Sequence, residues 1–184
     1  MRLANERPNH LAVASLQVMP HDTLLELGFG PGHALELMAR LVPHGRIYGV
    51  DHSRVMLEQA SKRNQAAMRE GRVVLFRAGC DALPLENASI DKVLAVNVIY
   101  FWQDVGAVLK EIRRVLRPGG RVSIYATDAD SMRKWKFAGP ETHRLYSADQ
   151  LTNVMRQAGF ERRAICVKKM RIAGRIQGLI VTLS

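Results

Sequence analysis

Long apolar runs, paired cysteines and hydrolytic motifs are all missing from this chain of 184 residues. No stretch approaches the roughly 18 uninterrupted apolar residues of a membrane span. Acidic Glu6 and early Pro8 make the first twenty residues a poor signal peptide, so the expected location is the cytoplasm. Cys80 and Cys166 form no CxxC pair, which excludes a disulfide framework and leaves two reduced thiols. GxxxxGKS/T, HExxH and GxSxG do not occur, nor does a metal-spaced set of His and Cys, so no metal is expected. Phosphoryl transfer and metal- or serine-dependent hydrolysis lose their usual residues.

Acidic residues grow scarce along the chain. Residues 1–104 carry 11 Lys+Arg against 11 Asp+Glu, whereas residues 105–184 carry 16 against 6, so the second part holds the whole net charge of +10. Such a surplus keeps a surface soluble, and it also attracts nucleic acid, acidic lipid or an anionic substrate.

What the chain does have is alternation. "TLLEL" (23–27), "RIYGVD" (46–51), "RVVLFRA" (72–78), "KVLAVNV" (92–98) and "RVSIYAT" (121–127) are short apolar runs bounded by turn residues. Runs apolar at nearly every position predict strands covered on both faces, as in a parallel sheet. Between them Leu35, Met38, Ala39 and Val42 keep helical spacing, Ser53 caps a helix running toward Gly71, and Val105, Val108, Leu109, Ile112 and Leu116 form one stripe. "SADQ" (147–150) reads as a capping box. After Gly159, "RRAICVKKMRI" and "GLIVTLS" are joined by only "AGR", too short for a crossover, so they predict an antiparallel hairpin. The fold class is α/β, and residues 1–184 read as one domain.

The turn "LLELGFGPGHALEL" follows the first run and opens a helical pattern. Glycine there permits left-handed backbone and lets a ligand come close, with the N–H groups of the helix start facing it. The dinucleotide fingerprint needs a third glycine where His33 stands, which argues against a nicotinamide oxidoreductase. Asp51 ends the second run, where a carboxylate accepts from the hydroxyls of a ribose. A nucleoside without a pyrophosphate is the reading of these residues.

"LLELGFGPG", "GVDHS", "GCDALPLENASIDKVLAVNVIYFW" and "EIRRVLRPGGRVSIY", in that order over residues 20–127, resemble the class I S-adenosylmethionine-dependent methyltransferases. They are similar to the small-molecule branch that includes the ubiquinone and menaquinone C-methyltransferases. The resemblance implies a Rossmann-like, mostly parallel seven-stranded sheet with helices on both faces and a C-terminal antiparallel hairpin. It implies S-adenosyl-L-methionine as cofactor and S-adenosyl-L-homocysteine as product. By motif, Glu26 orients the loop, and Gly28, Gly30 and Gly32 border the methionine portion and ribose. Asp51 holds the ribose, His52 and Met56 flank the adenine, Asp81 and Ala82 contact it, and Asn97 lies at the amino-acid end. Phe29 stands where members often carry a small residue.

Methyl transfer needs no dedicated catalytic group, because the sulfonium methyl is already activated. No catalytic residue is assigned for that reason. The expected partner is a small-molecule acceptor, with nucleic acid the alternative because of the basic second part. Acceptor candidates are Tyr100, with Phe101 and Trp102 as pocket wall or helix packing, and His143 and Tyr146 in the segment 128–146. Arg133, Lys134 and Lys136 are placed to receive an anion. Residues 1–20 read as a lid or a frayed end, with Asn5, Asn9 and His10 as candidate contacts.

Overall fold

Five apolar runs and the terminal pair become the seven strands of one sheet. The computed structural model describes residues 2–135 and 143–184; Lys136 and the side chain of Asn5 lie outside the described residues. In chain order the elements are α1 (Arg2–Ser15), β1 (Thr23–Leu27), α2 (His33–Leu41), β2 (Arg46–Asp51), α3 (Arg54–Arg63), α4 (Gln65–Arg69), β3 (Val73–Arg77), β4 (Ile90–Val96), α5 (Val105–Val115), β5 (Leu116–Thr127), α6 (Ala129–Met132), α7 (Ala148–Gln157), β6 (Ile165–Ala173) and β7 (Ile176–Leu183). The sheet order is β3-β2-β1-β4-β5-β7-β6. Strands β1 to β5 are parallel, and β7 runs antiparallel to both β5 and β6. The order reverses between β1 and β4, which opens a crevice at their carboxyl ends.

Both faces of the sheet are covered, which is why the strands read as continuous apolar runs. On one face Ala12 and Leu16, Leu35 and Met38 of α2, and Ala60 of α3 pack over Leu24, Ile47 and Leu94. On the other, Val108, Leu109 and Ile112 of α5 and Leu151 and Met155 of α7 cover Val93, Val122 and Ile124. Ile112 is fully buried. Ile112→Ala is therefore expected to cost about 2–5 kcal/mol through the lost methylenes and the cavity. Urea unfolding should show a lower midpoint at unchanged slope.

Four local features differ from the sequence pattern. The helix after Ser53 breaks at Asn64, whose buried Nδ2 donates to Ala60 O (3.0 Å) and Gly32 O (3.1 Å) instead of letting the chain run on. "RPGG" does not simply stop α5. It lies within β5, where Ile90 pairs with Leu116 before an irregularity restores the register at Lys92. The third is packing around Phe29, which is buried because β2 has glycine at position 49. A Cβ there would stand 2.8 Å from both Phe29 Cδ1 and Leu75 Cδ2. Finally, residues 2–15 form a helix rather than a frayed end. It runs against β5, since Ser15 Oγ donates to Ser123 Oγ (2.7 Å) low on that strand while Arg7 reaches Ile172 O (2.6 Å) above its end. Its first turns therefore stand at the carboxyl edge, with Asn9 half-buried and His10 exposed. The capping box is present as read: Ser147 Oγ accepts from Gln150 N–H, and Gln150 Oε1 from Ser147 N–H.

Candidate cofactor and acceptor site

Gly28, Gly30 and Gly32 all have positive φ (67°, 51° and 80°), which makes the turn from β1 into α2 unusually tight. Gly28 sits where three strands end: its N–H donates to Val50 O (2.7 Å), and a Cβ would lie 2.8 Å from Val98 Cβ and nearer still to Cγ2. At Gly30 a Cβ would meet nothing within 4 Å, so the loop keeps one open face.

Asp51, 6% exposed, clamps this loop to the next one. Its Oδ2 accepts from Gly30 N–H and its Oδ1 from Ser53 N–H, both at 2.9 Å. A carboxylate has about four acceptor positions, so each oxygen retains a free lone pair. His52 is exposed, with Nδ1 3.8 Å from Asp51 Oδ1, and Met56 is half-buried where its N–H meets the capping Ser53.

Glu26 lies beneath, 3% exposed, and its Oε2 has no hydrogen-bond partner. Burial first, then the charge of Asp51, pushes its carboxyl well above the usual range, against a hydrogen bond from the Leu35 backbone. A buried polar atom left unpaired costs on the order of 1–3 kcal/mol. Retaining one beside an open glycine loop fits a site built to be completed by a polar ligand. The raised acid also sets a pH dependence. A carboxyl that binds its proton more tightly in the native state contributes stability that is full below about pH 4.3 and is lost as pH rises through its native titration. Glu26→Gln should flatten that decline, seen as a smaller change of Tm with pH above that point; an unchanged slope would contradict it.

Asp81 and Ala82 are exposed in the turn after β3. Cys80, just before them, lies among Gly28, Asp51, Asp81 and Trp102. Burial, with both carboxylates adding, pushes its thiol up to about 12. A thiol so raised stays protonated and unreactive at neutral pH. The sequence marked it only as a reduced cysteine; nothing in its spacing indicated contact with the glycine loop.

At the end of β4, Asn97 takes a left-handed conformation (φ 54°) and its N–H donates to Tyr125 O (3.0 Å). The Tyr100 hydroxyl donates to Asn97 Oδ1 (3.0 Å) and accepts from Thr127 N–H, so it bridges the ends of β4 and β5. Burial pushes this phenol far up, outweighing the hydrogen bonds from Thr127. Phe101 is 54% exposed. The His143 ring lies 4.8 Å from that of Phe101 and 5.9 Å from that of Tyr100. Trp102 and Tyr146 are buried in the core, while Arg144 N–H donates to Tyr100 O (3.3 Å) and Ala129 N–H to Tyr146 O (3.0 Å). Tyr100, Phe101 and His143 thus form one rim, while Tyr146 is a core residue whose carbonyl ties residue 146 to the start of α6. Arg133 and Lys134 are exposed past α6.

Asn64 and Thr127 also belong to the site and were not singled out from the sequence. Asn64 holds Gly32, and Thr127 holds Tyr100. A cavity of about 600 Å³ lined by His21, His44, Arg46, Tyr48 and Phe76 lies at the opposite, amino-terminal edge. It shares no residue with the glycine loop. No cluster of potential metal ligands occurs among the described residues. No helix there is long and apolar enough to cross a membrane.

A family model described as "Methyltransferase domain" matches residues 25–124. The chain is 29% identical over 161 residues to the uncharacterized methyltransferase YdaC of Bacillus subtilis, covering 88% of this chain and 83% of that one. It is 34% identical over 114 residues to the ubiquinone/menaquinone biosynthesis C-methyltransferase UbiE of Geotalea daltonii, covering 61% of this chain but only 48% of the relative. Its fold is that of a SAM-dependent methyltransferase from Aquifex aeolicus, with TM-score 0.76, 18% identity, and 96% and 89% of the two chains covered.

Proposed function

Because this chain belongs to the S-adenosylmethionine-dependent methyltransferase family, we propose that it transfers a methyl group to a small-molecule acceptor by in-line displacement. When bound, the cofactor supplies a sulfonium-activated methyl. The chain's own residues then bind, orient and exclude water.

Asp51 uses its free lone pairs on the two ribose hydroxyls while its other interactions keep the loop closed. Gly28, Gly30 and Gly32 border the ribose and methionine portion, Gly30 offering the open face. Glu26 supplies Oε2 from below. His52 and Met56 flank the adenine, Asp81 accepts from its amino group, and the Ala82 backbone completes that edge. Asn97 lies at the amino-acid end.

The observation that carries the acceptor reading is the rim of Tyr100, Phe101 and His143 around the end of β4. Gly28 packs on Val98 of the same turn, so donor loop and acceptor wall share one support. With its hydroxyl committed to Asn97 and Thr127, Tyr100 offers a ring face and a fixed turn. Phe101 gives an apolar wall, and His143 is the group placed to receive a proton. Tyr146, buried in the core, anchors the segment that carries His143 through the Ala129 N–H. The first turns of α1 and residues 128–135 and 143–146 stand at the carboxyl edge beside the cleft; residues 136–142 of the expected substrate loop lie outside the described residues.

Calorimetric titration with S-adenosylmethionine and S-adenosylhomocysteine tests the donor half; saturable binding of both is expected, and binding of neither overturns it. A screen of candidate acceptors for S-adenosylhomocysteine formation, with mass analysis of products, tests the acceptor half. Turnover on RNA with none on small molecules would overturn that part alone.

A further inference from the structure

We infer that the acceptor is a small anion, bearing a carboxylate or phosphate, received by a basic arc on the β5–β7–β6 side of the rim. The inference rests on the small-molecule methyltransferase reading and names its substrate class.

The rim has two electrostatic halves. On the β1–β2–β3 side stand Asp51 and Asp81, so an anion there meets carboxylates. The other half is built differently. Pairing of β5 with β7 ends at Thr127 and Gly178, whereas the β6–β7 hairpin continues through Arg171–Gln177 to Ala173–Ile176. The hairpin tip therefore overhangs the carboxyl edge. It is knitted to α6, since Asp128 N–H donates to Gln177 O (3.0 Å) and Gln177 N–H to Ser131 Oγ (2.9 Å). Arg7 of α1 joins through Ile172 O.

The hairpin and residues 128–134 carry Arg133, Lys134, Lys168, Lys169, Arg171 and Arg175 against Asp128 and Asp130. Both acids are already neutralised. The Lys169 ammonium meets the buried Asp128 carboxylate, and Arg133 pairs with Asp130. Lys134, Arg171 and Arg175 have no carboxylate partner among the described residues. Arg171 Nε donates to Gly174 O, which holds its guanidinium at the tip. Cations on an outer strand also discourage edge pairing, and that alone accounts for Lys168. It does not account for Lys134 or Arg175, which lie off the strand, or for a buried aspartate tying hairpin to helix. Cations without a carboxylate partner among the described residues, set along the overhanging carboxyl edge, raise the local concentration of anions and their rate of capture.

The test uses the full chain saturated with S-adenosylhomocysteine, titrated by calorimetry with benzoate and with inorganic pyrophosphate. The two probes separate carboxylate from phosphate recognition. Arg171→Gln with Arg175→Gln, both exposed, is compared with Lys62→Gln with Arg69→Gln, which removes equal charge from the distant α3–α4 surface. Saturable binding of at least one probe is expected, weakened at least tenfold in the arginine variant and under twofold in the control, with S-adenosylhomocysteine affinity unchanged in both. Binding of S-adenosylhomocysteine with no arginine-dependent anion binding overturns the inference and spares the methyltransferase reading. Failure to bind S-adenosylhomocysteine removes the reading beneath it. An oligouridylate that binds through the same arginines more tightly than either probe overturns the inference in favour of nucleic acid.

Discussion

Gly28→Ala is expected to unfold the donor loop and destabilise the whole protein, whereas Gly30→Ala should damage binding far more than stability. Both residues have positive φ, which costs an alanine about 1–2 kcal/mol. Only at Gly28 does the new methyl also enter Val98, and overpacking a core typically adds about 1–3 kcal/mol. The total of about 2–5 kcal/mol corresponds to a fall in Tm of roughly 4–20 °C for a chain of this size. Adding Val98→Ala to Gly28→Ala should return the packing part and leave the backbone part. At Gly30 a Cβ finds open space, so stability should fall by only the backbone share. The same Cβ enters the face that must approach the ligand, and S-adenosylhomocysteine affinity should fall at least tenfold. Chemical denaturation beside calorimetric titration separates the two outcomes. Equal losses of stability in both variants would contradict the assignment of Val98 as the difference.

Asp51→Ala should have the largest effect on binding. Removing the carboxylate leaves the N–H groups of Gly30 and Ser53 without their acceptor, at about 1–3 kcal/mol for each one that stays buried. It also deletes the acceptors assigned to the ribose, so affinity should fall at least a hundredfold, about 2.7 kcal/mol. Asp51→Asn should be intermediate, because its amide offers one acceptor oxygen and turns a donor toward the other N–H. A second readout links Asp51 to Glu26. With the Asp51 charge gone, the Glu26 carboxyl should be raised less, and the loss of stability with rising pH should be complete at lower pH. If Asp51→Ala bound S-adenosylhomocysteine as the wild type does, the donor assignment would fail.

The legible part of the molecule is that written in local pattern. Apolar runs at 23–27 and 46–51 coincide with β1 and β2, and the capping box at Ser147–Gln150 opens α7. The short "AGR" link gives the terminal hairpin. The glycines and Asp51 were visible because their chemistry depends on position within a strand–turn–helix unit. What stayed hidden depends on distant neighbours. Asn64 ends α3 because Gly32, half a unit away, offers a carbonyl. Thr127 gains its part only when β5 lies beside β4. The Phe29–Gly49 fit is one side chain filling space that another residue lacks, and neither residue announces it alone. Residues 2–15 form a helix around a polar, proline-containing stretch, secured by Ala12, Val13 and Leu16 against the sheet. The apolar face of that stretch is too short to mark a helix from its spacing.

The placement of β7 has a consequence for how the molecule assembles. The glycine turn and Asp51 come together from neighbours in the chain, through β1, α2 and β2. The far side of the sheet requires Val122 to meet Leu183 and Ile165 to meet Leu183 from its other side. The first of those contacts closes a loop of about sixty residues, and long closures slow folding. Until β7 arrives, β5 presents a bare apolar edge, which is an aggregation hazard for any folding intermediate or shortened chain. A ligand bound at the glycine turn stabilises whatever state already holds that turn. Refolding yield should therefore rise when S-adenosylhomocysteine is present, with no effect expected on a variant whose glycine turn cannot bind it.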